Sequence, residues 1–225
     1  MPHAHSLRYA ARPLDADRGA EEFRQAVAEL QEGLAGQGEI RPELTFEEEP
    51  PPRRLAPYAV AVAATVASSG GTAAGAALDE DAEIASGRFV LLFDPAGQPG
   101  WDGRYRVISY VRAELEPEMA ADPLINAVGW SWLTEALGNA EVGYRNISGT
   151  VTTVVTQGFG SKQDEPVSTG FELRASWSPM TDASGETELA GHLAAWCNVI
   201  CAAAGLPPSA PGVAALRPPR RRRRP

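Results

Sequence analysis

Arg104-Tyr-Arg-Val-Ile-Ser-Tyr-Val-Arg-Ala-Glu-Leu-Glu116 alternates with a period of two, and Pro117-Glu-Met-Ala-Ala-Asp-Pro-Leu124 then turns the chain to a period of about 3.6. Extended, the first part places Tyr105, Val107, Ser109, Val111, Ala113 and Leu115 on one side and Arg104, Arg106, Ile108, Tyr110, Arg112, Glu114 and Glu116 on the other. Such one-sided strands belong to antiparallel sheets with one buried face. Pro117 stops the ladder. Asp122 is read as an N-cap, with Pro123 at the first helical position, where a missing N–H costs nothing. Leu124, Ile125, Val128, Trp132, Leu133, Ala136 and Leu137 then form an apolar stripe that Gly138-Asn139 ends.

The same logic extends in both directions. Upstream, Phe89 to Phe93 is a strand joined to the 104–116 strand by Asp94-Pro-Ala-Gly97 and Pro99-Gly-Trp-Asp-Gly103, which predicts a hairpin. Pro57 to Ala67 is continuously apolar, with Val60, Val62 and Val66 on alternate positions, and is read as a strand covered on both faces, although its alanines also permit helix. A short strand near Glu39 to Phe46 has to accommodate Pro42 at an edge or a bulge, and Glu47-Glu-Glu-Pro-Pro-Pro-Arg-Arg54 reads as an exposed connector. Residues 69–87 read as a loop. The first helix starts near Asp15 or Asp17, carries Phe23, Ala26, Val27, Leu30 and Leu34, and ends at Gly33, Gly36 and Gly38.

Downstream, two alternating strands span Val142 to Thr156 and Val167 to Trp177, the second turning Val167, Phe171, Leu173, Ala175 and Trp177 inward. A last helix, capped near Asp182 or Ser184, buries Leu189, Leu193, Trp196, Val199, Ile200 and Ala203 and stops at Gly205. Helices and strands do not alternate regularly, which rules against a doubly wound parallel sheet. The expected fold class is α+β: a mostly antiparallel sheet of about five to six strands with three helices mainly on one face. Residues 19–206 form the single domain, flanked by segments without fixed structure at 1–18 and 207–225.

Composition sets the outer limits. Of 225 residues, 44% are hydrophobic, enough for one compact core. The two cysteines, Cys197 and Cys201, lie four apart in a helical pattern with poor geometry for bonding each other, which predicts a reducing compartment. No apolar run reaches the length of a membrane span and the first residues do not read as a secretory leader, so a cytoplasmic protein is expected, with no membrane partner. The net charge is −9, and taking away the six arginines at 217 and 220–224 leaves −15. So acidic a body repels phosphate backbones. Nucleic acid is therefore expected only at the tail, where Arg220, Arg221, Arg222, Arg223 and Arg224 form the candidate anion contact.

Five charged residues crowd the strand-to-helix corner: Arg112, Glu114, Glu116, Glu118 and Asp122. Converging carboxylates can divide acid and base roles or hold a hard cation, with Arg112 orienting an anionic substrate; the plainer reading is a solvated strand face with Asp122 as a cap. His192, Cys197 and Cys201 share one helix, but their spacing matches no zinc motif, and core packing is the expectation. Trp101, in a Pro/Gly-rich turn, is a candidate partner contact if it is not packed back on the sheet. The glycine-rich segments at 97–103 and 158–162 lack the features of phosphate or dinucleotide loops, and no Gly-x-Ser-x-Gly elbow occurs. No metal and no cofactor is expected.

Gly87-Arg-Phe-Val-Leu-Leu-Phe-Asp-Pro-Ala-Gly97, Val111 to Leu124, Trp130-Ser-Trp-Leu-Thr-Glu-Ala-Leu137, Arg174-Ala-Ser-Trp-Ser-Pro179 and His192-Leu-Ala-Ala-Trp-Cys197 resemble the corresponding runs of an uncharacterised family of actinobacterial proteins classed as a domain of unknown function. The resemblance spans about residues 20 to 209 and implies a bacterial cytosolic protein; the arginine-rich tail departs from it. It assigns no catalytic or binding residue. The functional expectation is a non-enzymatic interaction or regulatory module with a protein partner. Its alternatives are a carboxylate-dependent enzyme, with or without a metal's assistance, at the 112–122 corner and an RNA-associated accessory protein using the arginine tail.

Overall fold

The computed structural model describes residues 9–11, 16–67, 83–181 and 187–208. In chain order these form β1 (Tyr9–Ala11), α1 (Ala16–Ile40), β2 (Leu44–Glu49), β3 (Tyr58–Ala67), β4 (Glu83–Phe93), β5 (Tyr105–Glu114), α2 (Pro117–Ala120), α3 (Ile125–Asn139), β6 (Tyr144–Thr156), β7 (Ser168–Pro179) and α4 (Leu189–Ala203). The fold is α+β. Every strand pair is antiparallel, in the order β1-β3-β4-β5-β7-β6. At one edge β2 and β1 lie end to end along β3, Glu49 facing Ala61 where Tyr9 faces Val60. β6 forms the opposite edge, because β7 returns from its hairpin into the place beside β5.

Alternation along the strands makes one sheet face the core. Tyr58, Val60, Val62, Phe89, Leu91, Phe93, Tyr105, Val107, Val111, Phe171, Leu173 and Trp177 are all buried there. α4 lies across this face, flanked by α1 and α3, and sinks Leu193, Trp196, Val199 and Ile200 into it. Aromatic rings close the α1 end, with Phe93 stacked on Tyr105 at 4.6 Å and on Phe23 at 5.9 Å. Two glycines permit the close approach of helix to sheet. A β-carbon at Gly87 would come within 2.6 Å of Ile200, and one at Gly129 would overlap the Phe171 ring.

Several boundaries differ from the sequence reading, each for a physical reason. α1 continues past Gly33, Gly36 and Gly38 to Ile40, because packing against α4 outweighs the low helix propensity of glycine. Gly33 itself faces Ala190 and Leu193 of α4. β2 begins at Leu44, after Pro42, so the proline never enters the ladder, and Glu47–Glu49 belong to the strand instead of the connector. β4 begins at Glu83, inside the segment read as a loop. Tyr9–Ala11 pair with β3, where no ordered element was expected ahead of the first helix.

Pro117 does more than stop β5: it occupies the first turn of the short α2. α3 starts at Ile125, later than Asp122-Pro123 suggests, and Asp122 Oδ1 accepts the Leu124 N–H at 2.8 Å. Leu124 and Val128, expected in the buried stripe, are 63% and 41% exposed, because α3 rolls about its axis to seat Gly129 on Phe171. Val167, expected inward, is exposed just ahead of β7.

Candidate functional site

The charged side of β5 lies on the sheet face turned away from α1, α3 and α4, and three rows of cross-strand neighbours run over that face. They are Val90, Ile108, Ser176 and Ser148; Arg88, Tyr110, Arg174 and Thr150; and Ser86, Arg112, Glu172 and Thr152. The period of two in each strand carries them there. The β3–β4 end is roofed: Ala56, Ala59, Ala61, Val90 and Leu92 make a second apolar cluster against which Trp101 and Ile108 pack. From Tyr110 to β6 no helix covers the face among the described residues.

Arg106 marks where the roof begins. The sequence reading placed it on the wet side, yet it is buried, donating to the Asn146 carbonyl at 2.9 Å, Ser178 Oγ at 3.2 Å and Ser176 Oγ at 2.6 Å. It ties β5 to β7 and to the bulged start of β6. Beyond it the face opens into a shallow hollow of about 490 Å³ lined by Ile108, Tyr110, Ser148, Thr150, Arg174 and Ser176. The Arg174 guanidinium sits 5.4 Å from the Tyr110 ring centre while donating to Glu172 Oε2 at 2.8 Å. A smaller hollow of about 120 Å³ adjoins it, with Arg112, Glu114, Glu172, Val154, Thr156 and Ser168 in its walls.

Of the five corner residues, this second hollow takes in Arg112 and Glu114 and adds Glu172 from β7. Glu116, Glu118 and Asp122 are exposed and line neither hollow. Glu116 precedes α2, and Asp122 is engaged with the Leu124 backbone. No group of three or more His, Cys, Asp or Glu arranged to hold a metal ion occurs among the described residues. Trp101 is half-buried on the second apolar cluster. Arg220 to Arg224, the 69–82 part of the expected loop, and the Asp182 and Ser184 cap positions lie outside the described residues.

Two other constellations resolve into structure. His192, Cys197 and Cys201 are all buried within the core. His192 Nδ1 accepts the Trp177 indole N–H at 3.1 Å, and burial lowers its pKa to about 4, with a hydrogen bond to the Gly143 backbone working the other way. Burial pushes the Cys197 thiol well up and Cys201 to about 11, so neither supplies a thiolate at neutral pH. A hollow of about 380 Å³ between α1 and the start of α4 is lined by Glu22, Glu29, Glu188 and Tyr105. Glu22 is engaged there by Arg104 at 2.7 Å and Tyr105 at 3.4 Å, and Glu29 by the Ala190 N–H at 2.9 Å. That hollow is a clasp between elements.

The sequence shows Glu172, Arg174 and Ser176 on the outward side of their strand. What it does not show is that β7 lies beside β5, which makes them neighbours of Tyr110 and Arg112. No helix among the described residues is long and apolar enough to cross a membrane. No curated protein and no solved structure matches the chain. A family model described as "Protein of unknown function (DUF3000)" matches residues 19–214, and the chain belongs to that family.

Proposed function

We propose that the chain is a non-enzymatic interaction module that receives a protein partner on the open sheet face between β5 and β6. One observation carries this reading: Tyr110, Arg174, Arg112, Glu114 and Glu172 stand together on a face that no helix covers among the described residues. Tyrosine and arginine are the residue types that most often anchor protein contacts, and alternating charges fix the orientation of a partner. The carboxylate-enzyme reading has less support, since only Glu114 of the four corner acids reaches the hollow beside Arg112. The setting we propose is an actinobacterial cytosol, in keeping with the sequence resemblance and with two unpaired, buried cysteines.

The test is a photoreactive amino acid placed in living cells at position 110, with position 135 on the exposed side of α3 as control. One discrete adduct from position 110, lost when Arg174→Glu is added, is expected. Equal adducts from both positions, or none from position 110, would dismiss the open face as a docking surface.

A further inference from the structure

The two edges of the sheet are built differently. At the β2 edge the strand ends in Glu47-Glu48-Glu49 followed by Pro50-Pro51-Pro52, and β1 fills the remainder of the β3 edge. Glutamates and prolines on an edge strand are the usual protection against pairing with another chain. β6 has no such protection. It is thirteen residues long, and Ser148-Gly-Thr-Val-Thr-Thr-Val-Val-Thr156 contains no charge and no proline. β-branched residues fill seven of its nine positions.

The backbone of that segment is also free on its outer side. Among the described residues, no N–H or carbonyl of residues 148–156 bonds anything other than β7. The run ends abruptly at its N-terminal side, where the ladder is bulged between Arg145 and Ser148, Asn146 takes a φ of +50° and its carbonyl is occupied by Arg106. Val154 and Val155, 41% and 63% exposed, project from opposite faces of the strand at its other end, with Phe159 and Val167 exposed in the following hairpin connection.

We propose that β6 is a self-association edge, along which two copies of this chain pair antiparallel about a two-fold axis near Thr152 and join their sheets. Three features favour a second copy as the occupant. An antiparallel pair of identical strands is self-complementary, so one surface satisfies both partners. A chain with a net charge of −9 repels its own kind over most of its surface, whereas this nine-residue edge brings no charge against charge. Beyond the edge, the same arrangement carries the Arg145 end of one copy toward the connection after Thr156 in the other, where Lys162, Asp164 and Glu165 leave a net charge of −1. Pairing over nine residues supplies about eight backbone hydrogen bonds, close to the roughly ten of an ordinary interface. The inference does not rest on the open-face reading, since it concerns the strand edge and not the face.

Sedimentation of the full chain from about 1 to about 200 μM should show the mass rising from that of one chain toward that of two. Thr152→Lys keeps the fold, because the new ammonium faces Glu172 on β7, but sets two like charges against each other at the axis. It should weaken association by about tenfold or more with an unchanged circular dichroism spectrum. Mixing Thr152→Lys with Thr152→Asp should restore a dimer containing one of each. A wild-type chain that remains a single copy throughout, a dimer indifferent to Thr152→Lys, or growth into open filaments would each overturn the proposal. Should Thr152→Lys fail to fold, a Thr152→Cys chain decides the matter by forming, or failing to form, a cross-link between copies faster than Glu135→Cys.

Discussion

A protonated His192 would set two hydrogen-bond donors against each other, since its Nδ1 already accepts from the Trp177 indole in a fully buried site. With its pKa lowered to about 4, the folded protein stays unprotonated over a range in which the unfolded chain, near 6.5, takes up a proton. This stabilising contribution is therefore complete above pH 6.5 and declines as the pH falls toward 4, by about 3 kcal/mol in all. Urea unfolding followed across that range should show the decline, and His192→Asn, whose Oδ1 can take the Nδ1 position, should flatten it. Two glycines of α3 make a second residue-scale case. Gly138→Ala, at an exposed position where nothing lies within 4 Å of an added β-carbon, should stabilise by about 0.5–1 kcal/mol through helix propensity alone. Gly129→Ala carries the same propensity gain but drives a methyl group into Phe171, so a net loss of about 1–3 kcal/mol is expected in the same unfolding assay.

At the scale of elements, β5 is two strands in one: roofed on its outer side at Arg106 and open from Tyr110 onward. Its inward residues were legible from the period of two alone, and the α4 stripe from the helical period, with its stop at Gly205, which takes the left-handed φ of +70° that ends a helix. The outward residues were legible as a set but not in their fates. Arg106 and Arg112 look alike in sequence, and only the fold back of the 94–104 loop, with Trp101 on the second apolar cluster, buries one and leaves the other wet. Strand order was equally hidden, because hairpin β6–β7 can dock on β5 through either strand and the alternation is the same in both cases. That choice decides whether Glu172 and Arg174 join Arg112 or stand at an edge. Arg106→Met tests the tie between β5, β7 and β6. Losing a charged donor to three acceptors should cost about 1.5–3 kcal/mol, and faster amide exchange should appear at residues 145–149 before it appears in β3 or β4.

For the molecule as a whole, charge is the property that no single element carries. Acidic and basic residues number 29 and 20, and six of the basic ones stand at 217 and 220–224, so a chain ending at Pro208 carries −15 against the full chain's −9. Like charges held on a compact body destabilise it, and salt screens them within a Debye length of about 10 Å at 0.1 M. The melting temperature should therefore rise with added sodium chloride in both chains, and more steeply in the truncated one. If instead the two chains melt in parallel at every salt concentration, the terminal arginines contribute no electrostatic relief to the acidic domain. They would then be free for an outside anion, and an RNA oligonucleotide should bind the full chain, lose affinity steeply with salt, and ignore the truncated chain altogether.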